Sequence, residues 1–175
     1  MREYIEAPLT LEDVSQLLWA AQGLTQKETG FRAAPSAGGT YPLELYVVVR
    51  QGGVESIEPG VYRYLFVTHE LSKIVDGDFS GDLTAAALDQ PWVKAAQINL
   101  IMTGLYSRTT ARYGDRGVRY VHMEAGHVGE NVYLQAMALG LGTVVIGAFY
   151  DDGVRRIVGA SEDETPLYVM PVGKR

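Results

Sequence analysis

Apolar positions in residues 9–23 recur at the spacing of a helix, which predicts a helix with one face on a core. Thr10 is a suitable N-cap because its hydroxyl can accept from the N–H of Asp13, and Leu9 has the spacing of a hydrophobic staple. Gly23 is expected to end this helix. The apolar stripe consists of Val14, Leu17, Leu18 and Ala21.

Runs rich in β-branched and aromatic residues predict strands. Residues 43–50 contain the nearly continuous run Tyr46 to Val49, which is typical of a strand buried on both faces. Residues 60–67 and 71–75, joined by a short turn, predict a hairpin. Further strands are predicted at 98–103, 142–148 and 167–172.

Three more helices are predicted. One covers residues 83–88, and a short one covers 152–158 with Asp151 as its cap. The longest covers 122–139, where Gly140 can end the helix in a left-handed conformation and Gly126 and Gly129 would let a neighbouring backbone approach. Residues 106–120 are rich in Arg and Tyr and predict either a helix with a loop or a mobile lid.

The order of these elements predicts the fold class. Strands and helices alternate, but the hairpin interrupts a pure series of parallel units. We therefore expect a single α+β domain over residues 1–175, with a mixed, mostly antiparallel sheet flanked by helices.

Composition excludes several functions. The chain of 175 residues carries a formal charge of −6, which argues against a nucleic-acid or anionic-membrane binder. It contains no cysteine, so disulfides, thiolate metal sites and cysteine nucleophiles are excluded together. No apolar run is long enough for a membrane span, and the first residues lack the plan of a secretory signal, so we expect a cytoplasmic protein.

Common phosphate and metal motifs are also absent. Gly140-Leu141-Gly142 lacks the third glycine of a dinucleotide fingerprint. His122 and His127 are five residues apart, which places them about 140° around a helix and not on one face. We therefore predict no metal site.

The run Pro35-Ser36-Ala37-Gly38-Gly39-Thr40-Tyr41-Pro42 carries more information. Its hydroxyls and small residues suit a loop whose backbone faces a flat or anionic ligand. The same composition also fits an ordinary glycine-containing connection into a strand. Local sequence alone leaves both interpretations open.

Several ordered segments together resemble the nitroreductase superfamily, and more narrowly its branch containing SagB-type thiazoline dehydrogenases. The resemblance extends over nearly the whole chain. Its main segments are residues 9–23, Arg32 to Gly39, Tyr41 to Tyr46, Gly60 to Tyr64, Tyr113 to Gly117, Glu124 to Ala136, Gly140 to Thr143, Ile146 to Phe149 and Pro171 to Gly173.

The resemblance implies an intertwined homodimer that binds two FMN molecules at its interface. Carried onto this chain, it makes Pro35, Ser36, Ala37 and Gly38 the loop that contacts FMN from the partner subunit. Ile146, Gly147 and Ala148 match the segment whose main-chain N–H faces flavin N5, and Gln90 matches a contact to the flavin edge. Tyr41, Tyr106, Tyr113 and Phe149 are candidate pocket walls.

One part of the family pattern is missing. Relatives bind the flavin and its phosphate with an N-terminal Arg-Arg-Ser-x-Arg run, of which only Arg2 can match the last arginine. Either the chain begins late relative to the family, or other cations hold the phosphate. Lys174 and Arg175 are the candidates, because relatives place C-terminal basic residues near that group.

The expected reaction is ping-pong transfer of hydride from NAD(P)H through FMN N5 to a nitro, quinone or similar small-molecule acceptor. It requires no side-chain acid, base or nucleophile, so no catalytic side chain is predicted. One alternative is azoline dehydrogenation in a peptide-modification pathway. Another is a flavin-binding or dimerisation module without turnover.

Overall fold

The first helix, α1 (Leu11–Gln22), has the predicted stripe and cap. The computed structural model describes residues 3–175, in which Thr10 Oγ1 accepts from the N–H of Asp13 and the Asp13 carboxylate accepts from the N–H of Thr10. Gly23 ends the helix with φ −58°, so it is not a left-handed cap. It must lack a side chain because a Cβ there would lie 2.6 Å from the Trp19 ring.

Six strands form one sheet in the order β5-β4-β3-β6-β8-β7, and all neighbouring strands are antiparallel. This confirms the predicted α+β class. The strands are β3 (Leu43–Val49), β4 (Gly60–Leu65), β5 (Glu70–Asp76), β6 (Ile98–Gly104), β7 (Leu141–Thr143) and β8 (Thr165–Lys174), beside a separate pair of β1 (Leu24–Gln26) and β2 (Phe31–Arg32).

Helices cover both faces of this sheet. They are α2 (Ser80–Ala86), α3 (Pro91–Ala95), α4 (Tyr106–Tyr113), α5 (Arg116–Ala138) and α6 (Asp151–Val158). Leu45 and Val47 of β3 join the apolar cluster with α1 and α5, whereas Tyr46 and Val48 join the cluster with α2, α3 and α6. Burial on both sides explains why the β3 sequence is continuously apolar.

Residues 106–120 form helix rather than a lid. Helices α4 and α5 meet at Gly114, whose φ of +55° favours glycine. Helix α5 begins at Arg116 and not at the predicted residue 122. The sequence does not predict the first turns because residues 116–120 are mostly polar and show no apolar period. Its predicted left-handed end at Gly140 is confirmed by a φ of +71°.

Three local predictions need correction. Helix α2 stops before Leu88, because Leu88 has a φ of +59° that helical backbone does not adopt. The strand predicted at 142–148 pairs only over β7, and Ile146 adds a single bridge. Asp151 is the first residue of α6 rather than its cap, and Tyr150 holds the cap position without a side-chain bond.

The predicted close approach at α5 occurs at a different glycine. A Cβ on Gly126 would meet nothing within 4 Å, and one on Gly129 would make only ordinary contact with Val145. A Cβ on Gly117 would lie 2.9 Å from the backbone of Thr110. Gly117 therefore lets α4 and α5 pack closely.

Among residues 3–175, no helix is long and apolar enough to cross a membrane.

The capping box provides a test of this local reasoning. We expect Thr10→Ala to lower the free energy of unfolding by about 1 kcal/mol, because the N–H of Asp13 loses the hydroxyl that accepts from it. Urea unfolding measures the change. Thr29→Ala is the control, since the exposed Thr29 hydroxyl bonds only the Gln26 side chain. Equal losses in the two variants would contradict the assigned cap.

Candidate functional site

The segment Ile146 to Ala148 leaves the sheet beyond β7. Ile146 exchanges two backbone hydrogen bonds with Val169 of β8, at 2.9 and 3.0 Å, and Tyr133 of α5 fixes the preceding Val145 N–H at 2.7 Å. Gly147 and Ala148 are exposed, and within residues 3–175 their N–H groups donate to no acceptor. These two donors are therefore available to an external ligand.

Gln90 lies beside this segment. Its side-chain amide donates to the carbonyl of Ala148 at 3.1 Å and to the carbonyl of Ala87 at 2.9 Å. The structure thus brings together Gln90 and Ala148, although 58 residues separate them in the sequence. A large cleft between α2 and α6, partly lined by Phe149 and Tyr150, opens next to them.

Lys174 and Arg175 lie at the other end of β7. Lys174 pairs with Leu141, and the Arg175 guanidinium donates to the Leu141 carbonyl at 2.9 Å. The start of the chain runs alongside, because the Ile5 N–H donates to the Lys174 carbonyl at 3.0 Å. The Lys174 ammonium has no partner among residues 3–175. Arg2 lies outside the described residues.

The small-residue loop packs against α4. Residues Ala37–Gly39 form one 3-10 turn, and the Ser36 hydroxyl accepts from the Tyr41 N–H at 2.9 Å. Gly38 has a φ of +60°, and a Cβ there would lie 2.5 Å from the Tyr113 hydroxyl oxygen. The positive φ therefore already favours glycine at position 38, whatever ligand the loop meets. Pro35 and Gly38 remain exposed.

A buried polar network supports the loop from beneath, and sequence reasoning missed it. The Glu124 carboxylate is buried on α5, bonds the Ser36 hydroxyl and accepts from the Gln22 amide at 3.4 Å. Burial raises the pKa of Glu124, and those two bonds and the attraction of Arg32 oppose this only in part. His127, three residues further along α5, is exposed.

Arg32 completes this network. Its guanidinium donates to the Gln22 side-chain oxygen at 3.3 Å and lies 4.3 Å from the ring centre of Tyr41 and 3.4 Å from that of Phe66. Such cation–π contacts stabilise the charge of an arginine that is partly buried. The loop is therefore fixed to α1 and α5 through polar contacts that are far apart in sequence.

Within one chain the predicted residues form two separate groups. Ile146 pairs with Val169, which lies in register with Ile101 of β6. Ile101 in turn pairs with Tyr46 of β3, so about 14 Å of sheet separates Ile146 from the strand that follows the loop. One group lies along β7, with Gln90, Ile146, Gly147 and Ala148 beyond one end and Lys174 and Arg175 about 16 Å away at the other end. The other group contains Pro35, Ser36, Ala37 and Gly38.

Two of the three histidines, His69 and His122, have local partners. His122 on α5 hydrogen-bonds the Tyr106 hydroxyl at 2.6 Å. His69 lies between the Ser15 hydroxyl, at 2.7 Å, and the Tyr64 hydroxyl, at 2.8 Å. Across residues 3–175 no group of three His, Cys, Asp or Glu side chains is arranged to hold a metal ion.

Comparison with known proteins identifies the family. The model of the nitroreductase family matches residues 1–174. The chain belongs to the nitroreductase family. A protein of Methanocaldococcus jannaschii that carries the name nitroreductase is 51% identical over the whole chain, which covers 86% of that protein. Family membership makes this chain an oxidoreductase by class.

Solved structures share the fold. A nitroreductase-named protein from Anabaena variabilis is 30% identical with a TM-score of 0.85, over 99% of this chain and 35% of that one. The Escherichia coli microcin synthetase complex McbBCD contains a chain with a TM-score of 0.87 at 22% identity, over 98% of this chain and 66% of that one. The trifolitoxin operon protein TfxC of Rhizobium leguminosarum is 25% identical over 98% of this chain, which spans 52% of it.

The buried carboxyl predicts a pH dependence. A glutamate whose pKa is raised by folding contributes stability below its unfolded pKa, and that contribution is lost as the pH rises through the folded pKa. We expect the free energy of unfolding of the wild type, relative to Glu124→Gln, to fall as the pH rises from about 4 to about 8.

Urea unfolding across this pH range measures that difference. Glu130→Gln is the matched control, because Glu130 lies on the same helix but is exposed. We expect its pH profile to follow that of the wild type. Parallel profiles for the wild type and Glu124→Gln would contradict the assigned effect of burial.

Proposed function

We propose that this protein is an FMN-dependent oxidoreductase that passes hydride from NAD(P)H to a nitro, quinone or similar acceptor. The observation that carries the proposal is the pair of N–H groups at Gly147 and Ala148, which donate to nothing in residues 3–175 and lie beside Gln90 in a nitroreductase-family chain. FMN supplies a ring that accepts and releases hydride at N5. A main-chain donor facing N5 stabilises the charge that develops there.

The residues present fit this cofactor at both ends of β7. Gly147 leaves open space, since a Cβ there would meet nothing within 4 Å. At the other end of the strand, Lys174 offers an ammonium group that has no partner within residues 3–175, beside Arg175. Five residues of extended chain, or about 16 Å, separate Leu141 from Ile146. We infer that the ring lies at Gly147 and Ala148 and that the phosphate lies toward Lys174.

We further propose that the site is completed by a second copy of the chain. Apolar residues form an exposed stripe on α5 at helical spacing: Met123, Leu134 and Met137 are 51%, 62% and 64% exposed, and Gly126 and Glu130 lie between them. Exposed apolar side chains in one row favour a protein interface. A homodimer through α5 would allow Pro35 to Gly38 of one subunit to face the flavin of the other.

Azoline dehydrogenation is the second candidate. Similarity to TfxC and to a chain of the microcin synthetase complex favours it. The two reactions differ in the hydride donor: a thiazoline-containing peptide would reduce the flavin in one case, and NADH or NADPH in the other. A non-catalytic flavin-binding module is the third candidate, and its flavin would stay oxidised with every donor.

Flavin binding and reduction test the proposed cofactor. We expect FMN fluorescence to be quenched on titration with the purified protein, and NADH or NADPH to bleach the bound flavin without oxygen. A protein that takes up no FMN would contradict the proposal. Bound flavin that a thiazoline peptide alone reduces would favour azoline dehydrogenation instead.

The N–H of Ala148 is tested by paired variants. Ala148→Pro removes this donor, so we expect FMN to bind but its reduction to slow about 100-fold, as for loss of one preorganised donor in other enzymes. Ala148→Gly keeps the N–H and should react like the wild type. Equal rates of flavin reduction in both variants would remove the proposed role of this backbone group.

The dimer is tested at α5. We expect Leu134→Asp to shift sedimentation at micromolar protein from dimer to monomer and to weaken FMN binding, because a charge would be buried in the apolar stripe. Ile74→Asp is the matched control on β5, where the side chain is 40% exposed outside this stripe. A monomer that retains FMN with unchanged affinity would refute the shared site.

A further inference from the structure

A second pocket lies on the other side of the loop, where β4 and its turn face α4. Its volume is about 370 Å³, which falls within the range of small-molecule sites. The polar lining consists mainly of Arg63 and Arg108, with Glu44 at its base. None of the residues predicted to bind the flavin lines it.

Glu44 holds the two arginines in place. Its carboxylate is buried on β3 and bonds Arg63 at 2.9 Å through one oxygen and Arg108 at 2.6 Å through the other. Arg108 is fixed further, since its second terminal nitrogen donates to the Tyr41 carbonyl at 3.0 Å. Because both guanidinium groups are restrained before any ligand arrives, binding an anion costs little side-chain entropy.

The pocket retains donors and positive charge. Among the residues that line the pocket, two arginines face one carboxylate, which leaves one unit of positive charge there, in a chain whose net charge is −6. Glu164, which is outside the lining, also attracts Arg63. Within residues 3–175, Arg63 Nε and Nη1 and Arg108 Nε have no hydrogen-bond partner. Both side chains are partly exposed, at 40% and 38%, so these donors reach the pocket space.

The opposite wall of the pocket is apolar. Leu65 at the end of β4 and Val67 in the following turn are 38% and 64% exposed, and Phe66 between them is backed by Arg32. A ligand there would place an anionic group on the arginines and a short apolar body on this turn. One net positive charge and forked donors match a monoanionic carboxylate better than a dianion.

We propose that this pocket binds a small organic carboxylate, with the carboxylate between Arg63 and Arg108 and the apolar part against Leu65, Phe66 and Val67. The site is separate from the residues assigned to FMN and does not depend on the proposed redox function. Binding requires the anionic group as well as the apolar part, since a neutral amide of the same shape would leave the guanidinium donors without an anion.

Isothermal titration with hexanoate and hexanamide at constant ionic strength tests the proposal. We expect saturable binding of hexanoate and at least tenfold weaker binding of hexanamide. Val67→Asp puts a negative charge on the apolar wall without disturbing Glu44, and should weaken hexanoate binding at least tenfold. Ile74→Asp, on β5 outside the pocket, should leave it unchanged.

The opposite change gives a second readout. Glu44→Gln removes the internal anion, so we expect hexanoate affinity to rise while circular dichroism reports whether the fold is kept. If this variant does not fold, the pair Val67→Asp and Ile74→Asp decides alone. Equal binding of hexanamide, equal effects of the two Asp variants, or tighter binding of inorganic phosphate than of hexanoate would each overturn the proposal.

Discussion

The central strands of the antiparallel sheet are buried on both faces, and the rest of the molecule depends on that constraint. Helices α1 and α5 cover one face and α2, α3 and α6 cover the other, so ligands can reach the sheet only at its ends and edges. At the β7 edge the backbone pairs through Ile146 and then leaves the ladder. Gly147 and Ala148 consequently have N–H groups that no acceptor in the described part of the chain, residues 3–175, engages, next to a rigid scaffold as a ligand site requires.

The second half of the candidate site depends on buried polar contacts rather than on the sheet. Ser36 is held by Tyr41 and Glu124, while Gly38 fits closely against Tyr113. Burying Glu124 and Arg32 is costly unless their bonds are satisfied, so their network favours one loop conformation. The loop is thereby preorganised at a distance from Gly147 and Ala148, an arrangement that suits a site formed between two subunits.

Elements with a strong local pattern were predictable from the sequence. Thr10 and Asp13 lie three residues apart, and the β3 run is continuous, so both appear within a short window. The start of α5 was missed because its first turns are polar and exposed, and Asp151 was assigned as a cap although the backbone is already helical there. Family resemblance, rather than periodicity, supplied the residues of the candidate flavin site.

Contacts across the fold could not be read from any such window. Glu124 meets Ser36 and Gln22 only because α5 packs on α1, and Glu44 meets Arg108 only because α4 returns over β3. The sequence does not indicate whether a charged residue is solvated or buried with a partner. The network beneath the loop and the arginine pocket therefore required the three-dimensional structure.

A mixed-dimer experiment tests the central claim, that each redox site combines two chains. Ala148→Pro damages one half of the site, and Gly38→Val damages the other by forcing a side chain against Tyr113. A purified heterodimer of the two variants would contain one site with both defects and one site with neither. We predict that each homodimer is strongly impaired in NADPH-dependent quinone reduction and that the heterodimer regains about half of the wild-type activity. A heterodimer as inactive as its parents would contradict the account.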